Sequence, residues 1–153
     1  FELAYNNVDQ NATGAAFLPQ PKGGTYRLGP TPAIVTLLRD PQRGGSRAVL
    51  IDTFVFNGAT TPHVNKYRRA GTLNDSPVWV LRLGEMYLIR AEANARLGAA
   101  TAAPTTQVVA DINLIRTRAG LSAITLATNA DALNEILVQR GFEFAVEGLR
   151  FAD

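Results

Sequence analysis

The 153-residue sequence has the length of a single domain, and its 46% hydrophobic and 18% charged residues suffice for a sizeable core. A formal net charge of only +2 argues against a nucleic-acid-binding protein, which would carry a dense basic surface. The absence of Cys excludes disulfides, thiolate metal sites and a cysteine nucleophile.

Residues 1–75 are predicted to be rich in loops. Two segments there, LPQPKGGTYRLGPTP at 18–32 and RDPQRGGSR at 39–47, place proline and glycine between short apolar runs. Both residues favour turns, because proline fixes one backbone angle and glycine tolerates left-handed conformations. We therefore expect turns and loops over these two segments.

Two short β-strands are expected in the same half of the chain. One is predicted at 1–5, and the other at 48–56, which is rich in Val, Ile, Phe and Thr. The second strand stops at Asn57-Gly58, a pair typical of a tight hairpin turn. Pro62 predicts that the returning strand is short or lies at an edge, because proline cannot donate a ladder hydrogen bond.

Residues 76–153 are predicted to be helical, because apolar side chains recur there at helical spacing. Three helices are expected, and each has recognisable end signals. They cover 77–97, 105–119 and a segment that starts with the loose capping box Thr128-Asn129-Ala130-Asp131. Asp75 or Ser76 is the expected N-cap of the first helix, and Gly98 and Gly120 are the expected stops of the first and second.

The first of these helices is apolar over most of its surface, yet it is not expected to span a membrane. No window of about 20 residues avoids its charges, so it is expected to be covered by protein on two or three sides. Arg90 lies inside its apolar arc, so it either extends outward to solvent or has an acidic partner on another helix. Arg116 intrudes on the apolar face of the second helix. We expect both arginines to be partnered by carboxylates, because an unpaired buried charge costs several kcal/mol. Glu143 and Glu147 on the third helix are the leading candidates.

Glu143 and Glu147 lie one helical turn apart, a spacing that also fits a general acid and base or two metal ligands. The alternative, which we favour, is that they pair with arginines of their own helix or of a neighbouring one. His63 has no partner at metal-ligand spacing and is expected in a loop. No catalytic residue, metal site or cofactor is therefore predicted.

Part of the first helix resembles the helix-turn-helix unit of tetratricopeptide repeats. Leu83-Gly84 is followed by Tyr87 and then by small residues, as in that repeat. At most one and a half units are present, whereas about three are needed for a free-standing solenoid. The expected fold is mainly α: a tetratricopeptide-like helical pair plus a C-terminal helix, with a loop-rich N-terminal half that carries short β-strands.

Three segments read, in order, VLRLGEMYLIRAEANARLG, VVADINLIRTRAGL and LNEILVQRGFEFAVEGLRFAD. Three further motifs accompany them: Phe1-Glu2-Leu3 with Tyr5, Asp40-Pro41, and Lys66-Tyr67. As an ordered set, these segments resemble the C-terminal part of the SusD/RagB family of outer-membrane nutrient-uptake lipoproteins. The resemblance covers nearly the whole chain, and the last helix departs from the family pattern at Gln139-Arg140-Gly141.

The resemblance implies a non-catalytic, SusD-like glycan-binding lipoprotein on the surface of the outer membrane. Its partners would be an oligosaccharide or polysaccharide and a SusC-like TonB-dependent transporter. The chain would be a fragment, with 1–153 as the C-terminal part of a SusD-like domain, and the lipid anchor would lie outside it. The alternative is a tetratricopeptide-like adaptor that binds other proteins.

The resemblance transfers no binding residue to this chain, because glycan sites in the family are arcs of aromatic side chains on variable loops. Tyr26 and Tyr67 lie in the loop-rich half and are our candidates for glycan contact, with Tyr26 preferred. Trp79 and Tyr87 lie at helical spacing within an apolar arc and are expected in the core.

Overall fold

The structure, a computed structural model, describes residues 1–6, 8–68 and 75–147. The chain forms two compact units, the first from Phe1 to Val80 and the second from Leu81 onward. The expected class is confirmed, since the described residues are mostly helical with a few short strands.

The first unit contains two short helices and two small antiparallel sheets among its described residues. The elements are β1 (Glu2–Leu3), α1 (Thr13–Phe17), α2 (Pro32–Arg39), β2 (Ile51–Phe56), β3 (Ala59–Val64) and β4 (Val78–Trp79). Strand β1 pairs with β4, and β2 pairs with β3. Helix α2 was not predicted, although Thr31 caps it by accepting a hydrogen bond from the Ile34 N–H and proline occupies its first position.

Strands β2 and β3 form the predicted hairpin. Asn57 and Gly58 both have positive φ, at 49° and 78°, as the type I′ turn of a two-residue hairpin requires. The returning strand carries Pro62 and lies at an edge, as expected, because the sheet has only two strands. Strand β2 begins later than predicted, because Gly45–Leu50 forms a 3₁₀ helix instead of extended chain.

The second unit contains α3 (Leu83–Leu97), α4 (Thr106–Arg118) and α5 (Asn129–Glu143). Gly84 faces Ile115, whereas Arg90, further along α3, contacts Asp111, which comes earlier in α4. Helices α3 and α4 therefore run antiparallel, and the predicted helical pair is confirmed. Helix α5 packs against both.

The starts of α4 and α5 were predicted well, whereas α5 ends at Glu143 and so does not include Glu147, which was expected on it. The Thr105 hydroxyl accepts a hydrogen bond from the Val108 N–H and caps α4. Thr128 and Asp131 form the predicted capping box at the start of α5. The predicted start of the first helix was wrong, because the residues just after Pro77 form β4 and pair with β1.

The core of the second unit is the seam between its three helices. The fully enclosed side chains come from all three, namely Leu88, Ala91, Val108, Ile112, Ile115, Ala132 and Ile136. Among the described residues, no helix is long and apolar enough to cross a membrane. Leu88 and Ala91 of α3 are buried in this seam, whereas Leu83, Met86 and Ile89 are exposed, so the apolar surface of α3 is only partly covered within this unit.

Candidate functional site

A pocket of about 420 Å³ lies against one face of the β2–β3 hairpin. Phe54 and Phe56 are two residues apart on β2, so both rings stand on this face. Tyr26 packs against them, with ring centroids 4.8 Å from Phe54 and 6.1 Å from Phe56. The two phenylalanine rings are 5.9 Å apart, and no two of the three rings are parallel. The rings therefore form an angular, apolar wall.

Tyr26 is held in place at both its backbone and its hydroxyl. Its hydroxyl donates to the Pro62 carbonyl at 2.8 Å, and its N–H donates to the Leu18 carbonyl at 3.0 Å. Its φ of 47° is uncommon for a residue with a side chain. Gly24 lets the chain make this bend, because a Cβ there would lie 1.9 Å from the Leu18 oxygen.

The rest of the pocket lining is uncharged. Pro21 and Val55 add apolar surface, and Gln20 and Thr25 add polar groups. The Thr25 hydroxyl donates to the Ala15 carbonyl at 3.0 Å, which leaves its oxygen able to accept a hydrogen bond. The pocket therefore suits a neutral ligand that presents both an apolar face and hydrogen-bonding groups.

A charged cluster lies beside the aromatic wall. Lys22 Nζ donates to Asp52 Oδ2 at 2.5 Å and lies 3.3 Å from His63 Nε2. The hydrogen bond from Lys22 lowers the pKa of the Asp52 carboxyl. His63 is fully enclosed, and its ring meets the Phe54 ring edge to face at 5.7 Å. Burial, and then the Lys22 charge, lower the pKa of His63, so this histidine is neutral near pH 7.

The prediction that His63 lies in a loop was wrong, because it belongs to β3 and pairs across the hairpin with Asp52. Tyr67, the other candidate for glycan contact, is buried and stacks on Phe17 with centroids 6.0 Å apart. Little of its ring can reach a ligand. Tyr67 lines a pocket of about 200 Å³, whereas Tyr26 lines the pocket of about 420 Å³.

Sequence reasoning missed Phe54 and Phe56 as pocket residues. Their alternation along a strand that ends at Asn57-Gly58 was a usable signal, because residues i and i+2 of a strand share one face. The position of Tyr26 opposite them depends on a fold between distant segments, which no local pattern reports.

Arg90 and Arg116 both contact carboxylates, but the expected partners were wrong. Arg90 makes a two-pronged ion pair with Asp111, at 2.8 Å and 2.7 Å, and lies over the Tyr87 ring. Arg116 binds Glu135 at 2.5 Å. The antiparallel packing of α3 and α4 brings Asp111 to the level of Arg90. Arg90 is also half-exposed, so it both reaches solvent and has an acidic partner on a neighbouring helix.

Glu143 and Glu147 contact other arginines. Glu143 Oε1 lies 2.6 Å from Arg82 and also accepts a hydrogen bond from Arg118, and Glu147 binds Arg82. The two carboxylate side chains are only 3% and 2% exposed. Arg118 lies on α4 and Arg82 immediately precedes α3, so the contacts match the interpretation that the carboxylates pair with arginines of neighbouring elements. Among the residues that the structure describes, no three His, Asp or Glu side chains are grouped as metal ligands.

The sequence matches one protein-family model, and the fold is similar to several solved structures. The model of the SusD family matches residues 53–153. Two solved structures are SusD superfamily proteins, one from Parabacteroides distasonis at 22% identity and one from Bacteroides vulgatus at 28%, each with a TM-score of 0.72. A third, surface glycan-binding protein A from Bacteroides uniformis, has 18% identity and the same TM-score.

The three alignments cover 96%, 99% and 99% of this chain but only 36%, 34% and 35% of those structures. The chain therefore spans about a third of the length of these relatives. No curated protein matches it. Since the family model matches well over half of the sequence, the chain belongs to the SusD family.

Proposed function

We propose that this chain is part of a non-catalytic glycan-binding protein of the cell surface. Membership of the SusD family over residues 53–153 is the observation that carries the proposal. The surface glycan-binding protein from B. uniformis, which shares the fold, supports it. The aromatic pocket in the first unit is compatible with such a ligand.

The proposal extends to the parent protein, the whole protein of which this chain is a part. It would be an outer-membrane lipoprotein, anchored through a lipid outside this chain, that passes oligosaccharides to a SusC-like TonB-dependent transporter. Residues 1–153 would form the C-terminal part of its SusD-like domain. Surface capture followed by transfer needs no bond cleavage, which agrees with a binding protein.

The two carboxylates that could suggest a hydrolase support a non-catalytic role. Glu143 and Glu147 are enclosed, and each contacts at least one guanidinium group. A general acid or base must reach a substrate proton within hydrogen-bond distance. Carboxylates engaged in this way between helices stabilise the fold instead.

The test uses the intact parent protein purified from its native membrane. We expect it to bind at least one polysaccharide of a broad panel in affinity electrophoresis, to release no reducing sugar from it, and to co-purify with a TonB-dependent transporter. Failure to bind any glycan would refute the binding role. Release of sugar would refute the non-catalytic one, and co-purification with an unrelated soluble protein would favour an adaptor.

A further inference from the structure

We infer that the pocket against the β2–β3 hairpin binds a neutral pyranose residue of the glycan. The inference rests on the proposed function and assigns part of it to named residues of this chain. The pocket volume of about 420 Å³ falls within the range of small-molecule sites. The rings, the polar groups and the lack of charge in the lining each match one property of such a sugar.

The aromatic wall matches the apolar face of a pyranose. One face of the sugar ring consists of C–H bonds that carry partial positive charge, and the face of an aromatic ring is negative. Phe56 packs against Phe54 and Tyr26 yet remains half-exposed, so part of its ring is left for a ligand.

The polar groups of the lining match the sugar hydroxyls. The Gln20 side chain makes no hydrogen bond with the described part of the chain, so its amide can both donate and accept. The Thr25 oxygen can accept as well, because its proton is directed at the Ala15 carbonyl. Each sugar hydroxyl is itself both donor and acceptor, so these two side chains can satisfy hydroxyls at the ring edge.

The charge of the lining indicates a neutral sugar. None of the described lining residues is charged. Lys22 is close by in sequence, but its ammonium is already paired with Asp52 at 2.5 Å. A uronic or sialic acid would lose water around its carboxylate in this pocket without gaining a counter-ion. Neutral hexoses and pentoses avoid that cost.

The experiment measures binding of oligosaccharides to the intact parent protein by isothermal titration calorimetry. The probes are neutral gluco-, manno- and xylo-oligosaccharides, with oligogalacturonides as the acidic probe. We expect Phe56→Ala to raise the Kd of the bound neutral probe about tenfold and Gln20→Ala to raise it about threefold. Phe1→Ala is the matched control, because it removes the same ring from an exposed position of the same unit outside the pocket. It should leave Kd unchanged.

Each outcome decides a different point. If the parent protein binds neutral probes and both pocket variants bind as tightly as the unmodified protein, the pocket is not the site, although the glycan-binding function stands. If the oligogalacturonides bind and the neutral probes do not, the ligand class is wrong. If no probe or polysaccharide binds, the proposed function fails, and the inference fails with it. Phe56→Tyr, which retains a ring, should restore binding and so separates stacking from a folding defect.

Discussion

Replacing Glu143 with Gln tests whether the enclosed arginine cluster stabilises the second unit. The amide keeps the volume of the side chain but removes the charge that Arg82 and Arg118 share. Each charge-assisted hydrogen bond is worth about 1.5–3 kcal/mol. Arg82 is 22% exposed and Arg118 is 52% exposed, so hydration of the two guanidinium groups offsets part of the lost interaction with the carboxylate. We therefore expect the free energy of unfolding to fall by about 3 kcal/mol, the lower end for breaking a buried pair.

Urea unfolding of the chain, followed by far-ultraviolet circular dichroism, measures this change. Arg96→Gln is the control, because Arg96 pairs with Glu92 at 2.9 Å one turn away on α3 and is well exposed. Such a surface pair contributes about 0.5 kcal/mol or less. If Glu143→Gln destabilises the chain no more than Arg96→Gln does, the cluster is effectively solvated, and the reasoning from burial is refuted.

Three further predictions concern local features. Gly24→Ala should destabilise the chain by about 3 kcal/mol, because its Cβ would collide with the Leu18 carbonyl. Gly58→Ala meets nothing within 4 Å and should cost only about 1 kcal/mol from its positive φ; equal losses in urea unfolding would contradict this contrast. His63 is the only histidine, and its pKa is lowered in the folded state. As the pH drops below 6.5, the unfolded state therefore gains the proton before the folded state does, and the free energy of unfolding should fall. Above pH 6.5, His63 should not change it. His63→Gln should remove this slope, and a slope unchanged in that variant would assign it elsewhere. Thr128→Ala should cost about 1 kcal/mol in the same urea assay through loss of the capping box, and no loss would mean that packing alone fixes the start of α5.

The starts of α4 and α5 were predictable because their determinants are local. The Thr105 and Thr128 hydroxyls each bond a backbone N–H three residues ahead, so the sequence signal and the bond coincide. The start of α3 was misplaced because the residues before it pair with Glu2–Leu3, far away in the sequence. A long-range strand partner overrides a local helical pattern and leaves no trace in it.

Charge partners and the pocket were harder to predict for a related reason. Helical periodicity placed Arg116 on a packing face, but the register between helices decides which carboxylate reaches it. Glu135 lies at that level of α5, and Glu143 lies two turns further on. In the same way, the alternation of Phe54 and Phe56 is visible in the local sequence. The contact of Tyr26 with both rings depends on tertiary structure, which the local sequence does not report.

The pocket and the hairpin should be stabilised together, because the same contacts hold both. A two-stranded hairpin alone is marginally stable in water. Strands β2 and β3 therefore depend on the segment from Lys22 to Tyr26, which covers the face that carries Phe54 and Phe56. That segment is tied to β3 by the hydrogen bond from Tyr26 to Pro62 and to β2 by the ion pair between Lys22 and Asp52. A ligand that binds only the assembled pocket stabilises it by about 2.7 kcal/mol at one hundred times its Kd. Saturating neutral oligosaccharide should therefore slow amide hydrogen exchange across β2 and β3 of the parent protein about a hundredfold where exchange proceeds through opening of the pocket. Exchange that stays unchanged in both strands, in a protein shown to be saturated with the sugar, would mean that the ligand sits elsewhere and that the hairpin is stable without it.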